Sequence, residues 1–138
     1  MKYFTIAEME RSRTALARGI DNKATGEAVI HLTDLIEKVL DPLREAWGRP
    51  ITVNSGYRSP ALNKAVGGVA GSQHQSGHAA DITTGSRNGN LKLFNLICNL
   101  RLPYDQLIFE KGNLREGPDW IHISYDPKRD RRETIYNV

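Results

Sequence analysis

Between Val29 and Leu43 apolar side chains recur at three- and four-residue steps, at Val29, Leu32, Leu35, Ile36, Val39, Leu40 and Leu43. That period commits the segment to a helix with a broad apolar stripe, and such a stripe is stable only against a covering surface. Pro42 is expected to bend or briefly interrupt the helix, and Gly48 with Pro50 to end it. The covering surface has to come from the chain beyond Pro50, where the apolar runs are short and punctuated. Ile51–Val53, Ala79–Thr83, Gln106–Phe109 and Trp120–Tyr125 read as strands, and the turn-rich stretch Lys111–Pro118 separates the last two. Shorter helices are expected from the capping box at Thr5 and Glu8, from Ser59-Pro60 to about Val66, and from Leu91 to about Leu100 with Asn90 as cap. Gly19–Gly26 and Val69–Gly77 read as loops. The order predicts an α+β fold, with helices packed on a small, mostly antiparallel sheet.

Composition excludes several classes. A chain of 138 residues suits a single domain over 1–138 and can bury a core without disulfides. The one cysteine, Cys98, leaves no internal disulfide; its helical spacing from Leu91 and Phe94 predicts a buried small apolar residue. The opening MKYFTIAEME lacks the apolar run of a secretory signal, and no stretch is long enough to span a membrane. Synthesis in the cytoplasm without membrane insertion is therefore the expectation, and a monomer is the expected state. The net charge of +3 gathers in Pro127–Glu133. Acidic residues interrupt that run and no aromatic ladder accompanies it, so it reads as a solvated tail and not as a nucleic-acid surface.

Two of the four histidines stand in unusual company. On a Trp120–Tyr125 strand, Ile121 and Ile123 share the core face, which leaves His122 on the other. Asp81 follows two alanines in a second strand. His74 lies seven residues before it, across a loop containing Gly77 that lets the chain turn back. Two imidazoles and a carboxylate form a three-ligand set suited to catalytic zinc, with one position open. Zinc in such a set brings a water to a pKa of about 7. Spacing alone leaves a lone sheet-face histidine and a structural site as competing readings.

The local pattern S-x-H-x-x-G-x-A-x-D, with the later D-x-x-H, resembles the D-alanyl-D-alanine carboxypeptidase family of zinc peptidases, a group that includes phage L-alanyl-D-glutamate endolysins. Ser55-Gly-Tyr-Arg58-Ser-Pro60-Ala-Leu-Asn63 resembles a second segment of that family, and Phe4–Glu8 and Asp41–Arg44 extend the resemblance over nearly the whole chain. The resemblance implies zinc on His74, Asp81 and His122, with Asp119 as general base and Arg58 stabilising the developing oxyanion. It implies peptidoglycan stem peptides as substrate, cleaved in the manner of a carboxypeptidase or an endopeptidase. The small size, basic charge and missing signal would suit a phage or prophage lysis enzyme released to the wall by a membrane-permeabilising partner. No separate wall-binding domain is expected. Arg58, Ser72, His78 and Trp120 are the expected substrate contacts, although Ser72 could equally shape its turn and Trp120 could equally be sheet packing.

Alternation raises one difficulty, because Asp119 and His122 are three apart and a regular strand would turn them to opposite sides. Asp119 serves the site if it lies in the loop before the strand; Glu110 and Glu116 are the fallback bases. His31, among apolar neighbours, reads as structural. A non-haem iron oxygenase is disfavoured by the helix content and by the spacing of His74 and Asp81. The main alternative is a non-enzymatic, zinc-stabilised cell-wall or protein-binding module; the hedgehog signalling domain resembles the same fold group, and its metal site is not established as a peptidase.

Overall fold

A computed structural model describes residues 1–138. The chain runs α1 (Ile6–Glu10), α2 (Arg13–Arg18), α3 (Glu27–Leu35), a π-helical turn (Ile36–Leu40), α4 (Asp41–Trp47), β1 (Thr52–Ser55), α5 (Pro60–Ala65), β2 (Ala79–Thr83), α6 (Arg87–Leu100), β3 (Gln106–Glu110), β4 (Trp120–Ser124) and β5 (Glu133–Asn137). The strands form one sheet in the order β1-β2-β4-β3-β5, antiparallel throughout except for the parallel pair β3 and β5. The fold is therefore α+β, with a mostly antiparallel sheet. No helix is long and apolar enough to cross a membrane.

The apolar stripe forms as its period requires. Leu32, Leu35, Ile36, Val39, Leu40 and Leu43 are all buried. They share one core with Leu93, Phe94 and Ile97 of α6 and with the sheet residues Ile82, Ile121 and Ile123. Pro42 has no N–H to give, and the helix accommodates it by widening just before it: the N–H of Asp41 reaches back to the carbonyl of Ile36. Alternation then divides the sheet. Ile121 and Ile123 on β4 and Leu107 and Phe109 on β3 face the helices, whereas Trp120, His122, Ile108 and Glu110 are half-buried on the other side.

Several expectations need correction. Ser12 caps an unforeseen helix, α2, by accepting from the N–H of Ala15. α6 begins at Arg87 under a Ser86 cap, so Asn90 is no cap but a buried residue of the first turn. Its amide donates to the carbonyls of Pro118 and Asp119 and accepts from the Thr84 N–H, which ties α6 to the entrance of β4. Cys98 is exposed, because the buried stripe of α6 is Leu93, Phe94 and Ile97 and position 98 falls one step beyond it. The charged segment after Pro127 is not a solvated tail throughout. It leads into β5, and Arg131 within it pairs with the fully buried Asp105.

Candidate metal centre

The register of the sheet builds the site. Asp81 of β2 stands directly opposite His122 of β4, with Ser55 beside Asp81 on β1 and Ile108 beside His122 on β3. Cross-strand partners bring their Cβ atoms to about 5 Å, so pairing alone sets this carboxylate against this imidazole. The distance from Nδ1 of His122 to Oδ1 of Asp81 is 3.0 Å.

His74 arrives from the loop above. Gly77 takes a positive φ of 80°, and a Cβ there would lie 2.5 Å from the carbonyl of Ala28, so only glycine allows the loop to press onto α3 and turn back. Ser72 accepts from the backbone N–H of His74 and thereby shapes this turn. His74 itself is buried; its Nδ1 donates to the carbonyl of Gly56 at 2.7 Å, which leaves the Nε2 lone pair facing Oδ1 of Asp81 at 3.4 Å. A carbonyl that fixes the tautomer in this way is the usual support of a metal-binding histidine. One donor atom from each of His74, Asp81 and His122 lies within 4.8 Å of the others. Burial opposes ionisation of Asp81, but hydrogen bonds and charge from His122 and His74 outweigh it and hold the carboxyl well below its usual range. The donor set is anionic, converging and oriented, and it fits a zinc ion.

Arg58 overhangs this set. Its Nε donates to Ser55 Oγ at 3.0 Å and its Nη1 to Asn63 Oδ1 at 3.2 Å, while Nη2 lies 3.6 Å from Asp81. Ser55 and Asn63 are the two ends of the Ser55–Asn63 motif, and their physical use is to aim this guanidinium. The ligands and Arg58 open into a cleft of about 550 Å³, whose walls include Ser72, Trp120 and Glu110.

Two sequence candidates stand elsewhere. His78 precedes Asp81 by an odd number of residues, so alternation turns it to the helix side. There it stacks on His31 with ring centroids 4.0 Å apart and lines a separate cavity with Asp34 and Asp126, which removes it from the rim of the cleft. Burial and the neighbouring His31 lower the His78 pKa. Asp119 does lie just before β4, yet its carboxylate accepts from Nε of Arg87 on α6 at 2.7 Å and is not part of the cleft wall. Glu116 pairs with the same arginine.

The model of a protein family described as Peptidase M15 matches residues 2–124. The chain belongs to the peptidase M15 family. Within 85 residues it is 41% identical to the zinc D-Ala-D-Ala carboxypeptidase of Streptomyces albus G; the match covers 61% of this chain and 32% of that protein. The chain thus spans about a third of the curated relative it resembles.

This M15 domain carries a supporting network that its sequence does not advertise. Asp105 is completely buried; its carboxylate accepts from Nε and Nη2 of Arg131 at 2.9 and 2.7 Å and from Nε2 of Gln73, the neighbour of His74, at 2.8 Å. The hydrogen-bonded fork of Arg131 overcomes burial and lowers the Asp105 carboxyl from 3.8 to about 2. No periodicity marks Asp105, and the surplus of cations after Pro127 is the one signal the sequence offers for it. Such a lowering corresponds to about 2 kcal/mol of stability. The unfolded chain takes up the proton first, so this contribution is full above pH 4 or so and is lost as pH falls through about 2. Asp105→Asn is expected to cost about 2 kcal/mol in urea unfolding at pH 7, with the difference from the parent narrowing toward pH 2.

Proposed function

We propose that this chain is a zinc-dependent peptidase that hydrolyses peptide bonds in peptidoglycan stem peptides, of the D-alanyl-D-alanine carboxypeptidase or L-alanyl-D-glutamate endopeptidase type. The observation that carries the reading is the Asp81–His122 cross-strand pair, completed by His74 and placed under Arg58 in an open cleft. The name of the Streptomyces albus G relative supports the substrate class.

His74, Asp81 and His122 would hold the zinc, which would supply Lewis acidity and activate a water at neutral pH. The remaining roles fall to side chains. Arg58 offers its Nη2 donors where a carbonyl oxygen gains charge, and Ser55 and Asn63 hold it there before substrate arrives. Asp119, once its side chain turns from Arg87 toward the cleft, is the proton acceptor and then the donor to the leaving amine. Trp120 gives the cleft an apolar wall against which a peptide can lie. A net positive charge favours approach to an anionic wall.

A zinc-stabilised binding module is the second reading. It has no use for an arginine held over the metal set by two dedicated hydrogen bonds, so catalysis is preferred. The test is digestion of purified peptidoglycan by zinc-loaded and chelator-stripped protein, with mass spectrometry of the products. Zinc-dependent release of D-alanine assigns a carboxypeptidase, and new D-glutamate amines assign an endopeptidase. Intact, zinc-loaded protein that releases neither product would return the binding module to first place.

A further inference from the structure

The wall of the cleft is polarised along β3. Gln106, Ile108 and Glu110 share the cleft face of that strand, and Ile108 is paired with His122. Four residue steps of strand lead from Gln106 to Glu110, about 13 Å, so the metal set lies midway between two ends of different character. At the Glu110 end the wall holds a carboxylate beside Trp120. At the Gln106 end it holds Arg129 and Arg131, from the segment between β4 and β5.

The three arginines of the cleft are not equivalent. Arg58 has two of its nitrogens committed to Ser55 and Asn63 and the third facing Asp81. Arg131 commits Nε and Nη2 to the buried Asp105, and its Nη1 lies 3.9 Å from Glu133. Arg129 makes no side-chain hydrogen bond within the protein. Its closest carboxylate oxygen, on Asp126, is 3.8 Å from Nε, and its side chain is 57% exposed. Only Arg129 therefore retains a full fork of donors, which is the arrangement that grips a carboxylate through two parallel hydrogen bonds. Asp126 does not compete strongly for it, since its other oxygen already accepts from the Lys128 N–H and the gap of 3.8 Å to the solvent-exposed Arg129 is too long for a hydrogen bond.

We propose that Arg129 is a specificity-determining residue that anchors a carboxylate of the peptide substrate at the Gln106 end of the cleft, and so fixes the direction in which the peptide lies across the metal set. The proposal rests on the peptidase reading above. It assigns the chemistry of one subsite: a free acid group on the peptide is bound, and its neutral amide is not. Arg131 frames the subsite through its tie to Asp105 without supplying the free donors.

The probes are a stem pentapeptide with its carboxyl groups free and the same peptide with those groups amidated, presented to the zinc-loaded protein. The parent is expected to favour the acid form by about tenfold in kcat/KM, chiefly through KM, and to lose part of that preference as ionic strength rises. In Arg129→Gln the ratio should fall toward one, and Arg129→Lys should restore it in part, since a point charge remains without the fork. An unchanged ratio in Arg129→Gln overturns the proposal, as does a parent that does not discriminate. If the parent hydrolyses neither peptide, the peptidase reading fails, and calorimetric titration with the same two uncleaved peptides decides the anchor alone. A tenfold tighter acid form that depends on Arg129 sustains the proposal, and equal affinities sink it.

Discussion

Replacing His122 by alanine is expected to release the metal and abolish hydrolysis together. The substitution removes one of the three proposed ligands and also the group hydrogen-bonded to the carboxylate of a second, Asp81. Loss of a mere supporting contact around a metal lowers affinity by about 10–100-fold, so loss of a ligand should exceed that. Asp81 is buried and is held ionised largely by His122 and His74, so its carboxyl should take up a proton more readily in the variant. The two losses reinforce each other. Zinc content by atomic absorption should drop from one per chain toward zero. Thermal unfolding gives a second reading: the parent should gain about 2.7 kcal/mol at a zinc concentration a hundred times its Kd, and His122→Ala should gain almost nothing. The core on the other face of the sheet does not use His122, since Ile121 and Ile123 fill that side, so circular dichroism should show the fold retained. A variant that kept stoichiometric zinc and full turnover would remove His122 from the site.

Much of this arrangement is legible in the chain because simple periods govern it. The three- and four-residue stripe specifies the main helix and its buried side. A period of two puts Ile121 and Ile123 inside and leaves His122 free. The same period, applied to Ala79–Thr83, also turns His78 away from Asp81, but the four-residue spacing between His74 and His78 competes with it for attention. That spacing has meaning on a helix and none across a turn.

Structure held by partners distant in sequence is harder to read. β5 is an exposed edge strand with no alternation to display, and it exists because it pairs in parallel with β3 and because Arg131 just before it is bound by Asp105. Asn90 resembles a cap since asparagine often serves as one. Its amide is instead engaged by Thr84 and by two carbonyls some thirty residues away, which no local rule reveals. Cys98 departs from expectation for a smaller reason, a rotation of one residue around α6. The subsite proposed at Arg129 is the least legible of all, because the segment between β4 and β5 reaches the cleft wall only through the fold.

Asp119→Ala is the second large effect expected, a fall in kcat of about 10²–10⁴-fold with zinc retained. The structure makes this a demanding prediction, because the carboxylate rests on Arg87 and Glu110 already lines the cleft. Three considerations favour Asp119. Its backbone is fixed at the mouth of β4, by its own N–H to the Glu110 carbonyl and by Asn90 on its carbonyl, so only the side chain has to turn. The ion pair with Arg87 is solvent-exposed on both partners, and exposed pairs hold by at most about 1 kcal/mol, which is small beside the rate at stake. Glu110, by contrast, is tied at Oε1 by the Asn137 amide and stands opposite Trp120, one cross-strand step away from the row that contains His122. Glu110→Gln is therefore expected to lower kcat less than tenfold, in keeping with a group that shapes the cleft. Arg87→Ala should leave zinc content unchanged and should not reproduce the Asp119→Ala loss, because the arginine restrains the carboxylate without acting on the substrate. The decisive comparison is single-turnover hydrolysis by the three variants at matched zinc occupancy. A large loss in Glu110→Gln beside a small one in Asp119→Ala would transfer the proton-shuttling role to Glu110, and the Asp119–Arg87 pair would then be a surface contact bracing the entrance of β4.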